Sequence, residues 1–161
     1  MANNIYATIV GATQGAFNGE GTGNAKDKIP GVAFDYGLTV PTDPATGLVS
    51  GKRQYKPVTF TKEWGAASPQ IFQAAVTNET LRSVNFEFTS VDSSGVEQPQ
   101  FIISLANAII SGFEGSVTLG EDGGPAVDDR ELERIQFDFQ KITITSVASG
   151  TTAVDDWKAG A

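Results

Sequence analysis

The sequence predicts a mainly β domain, built as a compact barrel or two-sheet sandwich, with one short α-helix packed on its side. Several segments alternate apolar and polar residues with a period of two, which is typical of half-buried strands. Glycine supplies 18 of the 161 residues, a share above the usual value of roughly 7% that indicates many turns. A long apolar run near the C-terminus changes phase once, as a strand does when it bends from one sheet into another.

The first half of the chain predicts three strands. Residues 5–10 are β-branched or aromatic and predict the first. Residues 31–41 alternate cleanly and predict a second, half-buried strand. Its shared face carries Val32, Phe34, Tyr36, Leu38 and Val40. Val58, Phe60 and Lys62 predict the third strand, which Pro57 places at a sheet edge or near a strand start.

One helix is predicted over residues 68–77. Ser68 suits the N-cap and Pro69 suits the first helical position. The apolar stripe predicted to pack consists of Ile71, Phe72, Ala75 and Val76. A helix of this length is marginal in water, so it must pack on the rest of the domain.

The second half predicts three longer strands. Residues 82–92 alternate with Val84, Phe86 and Phe88 inward, and residues 100–113 and 131–147 form two longer runs. In the last run the apolar positions shift from odd to even numbers at Gln140-Lys141. A slip of one residue exchanges the two faces of a strand, so this position predicts a bulge or bend between two sheets.

The whole chain, residues 1–161, is interpreted as a single domain without internal repeats. Two long loops are expected, Gly11–Asp27 and Thr42–Tyr55, and residues 150–161 are expected to form a C-terminal tail. No run of apolar residues is long enough for a membrane span. The N-terminus has neither a basic region nor an apolar core, so a secretory signal peptide is not expected.

Composition excludes several classes of chemistry. The chain has no histidine and no cysteine, which excludes Ser-His-Asp and Cys-His catalysis, disulfides, zinc sites and iron–sulfur clusters. With 11 basic and 19 acidic residues the net charge is −8, which argues against nucleic acid as a partner. No catalytic residue, metal ligand set or cofactor is predicted.

Three weaker patterns have competing interpretations. Residues 19–26 are glycine-rich but lack the spacing of a phosphate loop. The acidic stretch 121–133 is either a solvated loop or a calcium site with oxygen ligands. Trp64 and Trp157 either stack on a sugar or fill the edge of the core. Taken alone, the residues therefore leave open a β-sandwich module that binds carbohydrate or calcium. A carboxylate-dependent hydrolase is also possible on composition.

Three segments resemble the haemolysin-coregulated protein (Hcp) family. In residues 58–72, a strand ending in Phe-x-Lys leads to Ala-Ser-Pro and the single helix, an order typical of that family. Residues 100–111 resemble the long strand that follows, and residues 129–142 resemble the last strand. Residues 5–11 and 29–37 lie where the first two strands belong. The resemblance covers most of the chain.

The resemblance implies a tube subunit of a type VI secretion system. Such subunits are compact β-barrels of two sheets with one helix, and they form homohexameric rings that stack into a tube. A contractile sheath surrounds the tube, a spike protein sits at its tip, and small effectors travel in the lumen. The resemblance implies no enzyme activity. It also implies assembly in the bacterial cytoplasm, followed by secretion through the type VI system without a signal peptide.

Two sets of candidate site residues follow. In the family, the extended loop between the second and third strands helps one ring sit on the next, and here that loop is Thr42–Tyr55. Its candidate contacts are Thr42, Asp43, Leu48, Val49 and Arg53. The second set consists of polar strand faces that either form the ring interface and lumen or are merely solvated. These faces carry Ser83, Asn85, Glu87, Thr89, Gln136, Asp138 and Gln140.

Overall fold

Strands dominate the computed structural model, which describes residues 4–117, 119 and 130–157. In chain order the elements are β1 (Asn4–Gly11), β2 (Gly15–Ala16), β3 (Ile29–Gly31), β4 (Ala33–Asp35), β5 (Leu38–Thr39), β6 (Gln54–Tyr55), β7 (Val58–Glu63), α1 (Ser68–Thr77), β8 (Leu81–Val91), β9 (Glu97–Ser116), β10 (Leu132–Asp138), β11 (Lys141–Ser146) and β12 (Thr151–Asp156). The prediction of a mainly β fold with one short helix is confirmed. Among the described residues, the single α-helix is too short to cross a membrane.

Apart from β5 and β6, the strands form two antiparallel sheets that share β9. In the first sheet β1 pairs with β8, β8 with β9, β9 with β11 and β11 with β12. In the second sheet the second half of β9 pairs with β10, β10 with β7 and β7 with β4. Residues 29–35 join the two sheets, because β3 pairs with β1 while β4 pairs with β7. The arrangement is a two-sheet sandwich.

An aromatic core lies between the sheets. Phe60, Phe86 and Phe137 are fully buried, since each occupies an inward position of its alternating strand. The ring of Phe86 lies 5.4 Å from that of Phe60 and 5.8 Å from that of Phe137, centroid to centroid. A Cβ at Gly31 would overlap the Phe60 ring, so glycine lets β3 close over it.

The predicted phase change separates β10 from β11. Ile135 and Phe137 are buried in β10, whereas Ile142 is the buried residue in β11. β10 pairs with residues 109–116 of β9, and β11 pairs with residues 101–106. The bend at residues 139–140 therefore carries the chain from one sheet to the other, as predicted.

The prediction of one continuous strand over residues 31–41 is wrong. β4 ends at Asp35, and of the five apolar residues expected on one buried face only Phe34 packs against the core. Tyr36, Leu38 and Val40 are 43–49% exposed. After Gly37 the chain leaves the sandwich and pairs with β6 in a separate two-stranded sheet. The alternation is real, but the face it creates lies outside the core.

The helix has the predicted bounds but buries a different stripe. Ile71 and Ala74 are buried, whereas Phe72 and Val76 are more than half exposed. α1 packs on β9, and the Phe72 ring rests on the edge of that contact, 5.9 Å from the ring of Phe113. Residue Asn78 ends the helix in the left-handed conformation with φ 54°, a conformation that asparagine tolerates better than most residues.

The C-terminal segment also differs from the prediction. Residues 151–156, expected in a tail, form β12 and pair along their length with β11. Gly150 turns the chain with φ 71°, and its N–H donates to the Ser146 carbonyl at 2.9 Å. A tight hairpin therefore returns the chain onto the first sheet.

Candidate functional site

The segment predicted as the long loop Thr42–Tyr55 is an ordered hairpin. We call residues 38–55 the arm. β5 and β6 pair at its base, and Thr42 bridges to Val49 near its tip. The tip is closed by hydrogen bonds from the Asp43 N–H to the Leu48 carbonyl and from the Gly47 N–H to the Asp43 carbonyl, both at 2.7 Å. Gly47 adopts φ 73°, which glycine accommodates without steric cost.

The arm tip presents an apolar pair to solvent. Leu48 and Val49 are each 68% exposed, and Thr42 beside them is also exposed. Asp43, predicted as a contact residue, is half-buried, and its carboxylate accepts a hydrogen bond from the Ala45 N–H at 2.8 Å. Asp43 thus shapes the turn that carries the apolar pair.

Arg53, the fifth candidate of the arm, is bound within its own chain. Its guanidinium donates through Nε and Nη2 to the two oxygens of Asp155, at 2.5 and 2.7 Å. The Tyr55 hydroxyl donates to the same carboxylate. The Arg53 and Tyr55 hydrogen bonds hold the pKa of Asp155 below its ordinary value. In this conformation the Arg53 guanidinium faces β12, away from the tip.

The first predicted polar face extends over several strands of the first sheet. Asn85 lies opposite Thr8 of β1 and Ser104 of β9, so these side chains share one face. Ser83, Asn85 and Glu87 are half-buried. The Glu87 carboxylate accepts from Lys28 Nζ at 2.8 Å. Together these residues make a moderately polar surface across β1, β8 and β9.

Thr89 departs from this face. It is only 3% exposed, and its hydroxyl has no hydrogen-bond partner among the described residues. The pairing of β8 with β9 shifts register between Phe88 and Thr89, and such a shift disturbs regular alternation. In the single chain Thr89 therefore does not reach the surface where the sequence predicted it.

The second predicted polar face lies around the bend after β10. Asp138 is exposed, while Gln136 and Gln140 are half-buried. Gln136 lies against Gly112, where an added Cβ would overlap its side-chain amide. The Gln140 side chain accepts from Asn107 at 3.2 Å. The three residues follow the outer side of the second sheet up to the point where the chain changes sheets.

A buried ionic cluster lies at the start of the helix and includes Glu133, the last residue of the acidic stretch 121–133. Lys62 and Glu133 are 0% and 2% exposed. Lys62 Nζ lies 2.5 Å from the Glu133 carboxylate and 3.1 Å from that of Glu20. Glu133 also accepts from the Ser68 hydroxyl. β10 is flanked by β7 and β9, so Glu133 lies in the interior of the second sheet and not at its edge. It pairs with the lysine of the Phe-x-Lys element.

The Gly11–Asp27 loop is fastened to the helix at both ends. At one end Glu20 accepts from the Ala67 N–H at 2.7 Å and so caps α1 from a distant part of the chain. At the other end Glu79 accepts from the backbone N–H groups of Thr13 and Gln14 at 2.9 and 2.8 Å. Burial alone would raise the pKa of Glu79, but these hydrogen bonds outweigh it and lower the pKa.

The two tryptophans have structural contacts. The Trp64 indole N–H donates to the Leu132 carbonyl at 2.9 Å, and the ring, 46% exposed, borders a cleft of 400 Å³ beside Glu20 and Glu63. The Trp157 ring lies 5.3 Å from that of Tyr55 at the arm base. Each indole therefore packs at an edge of the fold, one beside β10 and one beside β6.

The acidic segment proposed as an alternative calcium site falls largely outside the described residues. Glu121, Asp122, Asp128 and Asp129 belong to that undescribed part of the chain. Across the described ranges, no three potential metal-ligating side chains lie close enough to hold an ion together.

Comparison with known proteins places this architecture among secretion proteins. Residues 6–145 match the family model described as type VI secretion system effector, Hcp. A curated protein of Pseudomonas aeruginosa strain PAO1, named major exported protein, is 31% identical over 98% of this chain and 97% of its own length.

Solved structures share the fold over nearly the whole chain. A crystal structure of an Hcp protein superposes with a TM-score of 0.87 at 26% identity, covering 97% of this chain and all of that one. Hcp1 of Escherichia coli EAEC 042, solved as a double variant, gives a TM-score of 0.80 at 25% identity, over 96% of this chain and 98% of its own. The similarity therefore extends over nearly the whole length of the chain.

Proposed function

Because this chain belongs to the Hcp family of type VI secretion proteins, we propose that it is the structural subunit of the secretion tube. In this proposal six copies close into a ring, and rings stack into a tube. The observation that carries the stacking role is the apolar pair Leu48 and Val49, each 68% exposed at the tip of an ordered arm. Covering such an apolar pair with another surface lowers the free energy of the assembly.

Ring closure requires two different complementary patches on each subunit, because the contact is head-to-tail around the ring. The two polar faces, around Asn85 on the first sheet and around Asp138 on the second, lie on different sheets and are candidates for these patches or for the lumen wall. Their half-buried polar side chains suit surfaces that contact water or a polar partner.

The proposal assigns the chain a geometric task without catalysis. Its 161 residues include no histidine and no cysteine, the residue types on which the commonest nucleophilic mechanisms depend. The partners we propose are further copies of the chain, a contractile sheath, a spike protein at the tip and small effectors in the lumen. Assembly would take place in the bacterial cytoplasm, and the assembled tube would then be exported.

The first experiment measures the mass of the purified chain in solution and images it by electron microscopy. We expect a closed assembly of about six subunits and, at high concentration, stacks of such rings. A chain that stays monomeric at every concentration would contradict the proposal.

The arm is tested by the double variant Leu48→Asp, Val49→Asp. We expect rings to form normally and stacks to be lost, because two carboxylates cannot be buried cheaply between rings. The matched control is Leu48→Met, Val49→Ile, which keeps the tip apolar and should stack. Stacks of unchanged length in the aspartate variant would remove the arm from the stacking interface.

A further inference from the structure

The base of the arm is tied to β12 by a three-residue clasp, which we define as Arg53, Tyr55 and Asp155. Both Asp155 oxygens are engaged by the Arg53 guanidinium, and one also accepts from the Tyr55 hydroxyl. Arg53 Nη2 also donates to the Asp156 carbonyl, at 3.5 Å. The clasp joins residues 100 to 102 positions apart in sequence.

Within the described residues, the strand pairing of the arm itself does little to set its direction. β5 and β6 pair over only two residues each, and an isolated two-stranded hairpin is at best marginally stable in water. Besides the clasp, the Tyr55 ring packs 5.1 Å from Phe139 and 5.3 Å from Trp157. All of these contacts lie at the base, so whatever fixes the base fixes the direction of the tip.

The chemistry of the clasp suits orientation better than overall stability. The Arg53 and Asp155 side chains are each 30% exposed, and partly solvated ion pairs add little to the free energy of unfolding. A planar guanidinium on a carboxylate is nevertheless specific in direction, because two parallel hydrogen bonds form in only one relative orientation.

We propose that the Arg53–Tyr55–Asp155 clasp is the positioning element of the arm, which holds Leu48 and Val49 at the angle required to meet the next ring. This inference rests on the stacking role proposed above. An arm held in the binding direction loses less conformational entropy when rings associate. Arg53 thus acts on the stacking interface through the arm and does not itself touch the next ring.

The test uses the full chain with Asp155→Asn, which keeps the shape of the side chain but removes its charge. We expect intact rings, a melting temperature close to that of the parent and faster hydrogen exchange in residues 40–53. If the competent direction of each arm falls to about one tenth of the population, the concentration required for stacking rises about tenfold for every arm that must engage, and therefore at least tenfold for a ring. Asp35→Asn is the matched control, since it removes a carboxylate from a looser, more exposed pair with Lys56 at 3.6 Å.

A second pair of variants separates geometry from charge. Arg53→Lys keeps the positive charge but cannot form the two parallel hydrogen bonds, and we expect it to stack poorly. Exchanging the partners in Arg53→Asp, Asp155→Arg should restore stacking in part, because the pair is re-formed across the same gap. An Arg53→Lys variant whose rings stack as well as those of the parent would overturn the proposal.

The remaining outcomes distinguish this inference from the stacking role itself. If Asp155→Asn stacks and exchanges like the parent while Leu48→Asp, Val49→Asp abolishes stacking, the clasp proposal is overturned and the arm keeps its role. If neither variant alters stacking, the role of the arm is overturned and the clasp proposal with it.

Discussion

At the scale of single residues, the contacts of Lys62 give the lysine of the Phe-x-Lys element a structural reason. The lysine is fully buried, yet it contacts two carboxylates, the Ser68 hydroxyl and the Glu63 carbonyl. Alternation alone predicted that it points inward, but a buried ammonium requires partners. Those partners come from positions 20 and 133, far apart in the sequence, so no local pattern could have identified them.

Lys62→Met tests the cluster. We expect a loss of about 3–5 kcal/mol in the free energy of unfolding, because two carboxylates would be left without their cation. Urea denaturation of the purified chain measures the change. The double variant Lys62→Met, Glu133→Leu should be less destabilised than the single variant, since it also removes a buried charge. A single variant as stable as the parent would show that the cluster contributes nothing.

At the scale of elements, local sequence patterns predicted where the helix begins and ends. Contacts with residues distant in sequence determined which face is buried and how the loop is ordered. The bounds of α1 followed from Pro69 and the apolar spacing. Ser68, predicted as the N-cap, is instead the first helical residue, and Ala67 occupies the N-cap position. The buried stripe did not follow from the sequence, because it depends on how the helix rests on β9. The loop over residues 11–27 was predicted only as a loop. Glu20 and Glu79 fasten it to the two ends of the helix, and Glu79 is 66 positions from Thr13. Contacts between residues so far apart produce no periodic pattern in the sequence.

The Glu79 contact predicts a dependence on pH. Its pKa is lower in the folded chain than in an unfolded one, so the stability it contributes is present at neutral pH and is lost as pH falls through the folded value. We expect Glu79→Gln to be less stable than the parent at pH 7, with the difference shrinking on acidification. Denaturation curves at several pH values measure this, and a constant difference would contradict it.

The arm shows where alternation misleads. Tyr36, Leu38 and Val40 alternate as a half-buried strand should, yet they lie on an exposed face beside the arm base. A period of two identifies a strand with one apolar side, and it does not say whether the core or another molecule covers that side. Such a stretch indicates a binding surface as readily as a core.

At the scale of the whole molecule, charge becomes a property of the assembly. One chain carries a net charge of −8, and six copies in the proposed ring carry six times that charge. Stacked rings therefore repel one another through water, and dissolved salt screens the repulsion. All of this net charge lies after residue 80, where the sequence has 13 acidic and 5 basic residues. Its distribution between the faces of the proposed ring depends on residues that only the fold brings together.

Raising ionic strength should strengthen stacking of the wild-type rings. The Debye length falls from about 30 Å at 0.01 M to about 3 Å at 1 M salt, so we expect longer stacks at higher salt until screening is complete. Sedimentation velocity and electron microscopy across that range measure the effect. Stack lengths that do not change with salt would show that the net charge takes no part in ring association.

The course of β9 has a mechanical consequence for a subunit that is pushed. Its 20 residues pass from the first sheet into the second as one strand, which bends at Asn107 with φ 50°. The chain crosses between the sheets again where β10 gives way to β11. A thrust on one sheet thus reaches the other through covalent backbone as well as through side-chain contacts. Shearing the halves of the subunit past each other would require deforming this strand, which would make each ring of the proposed tube resist compression.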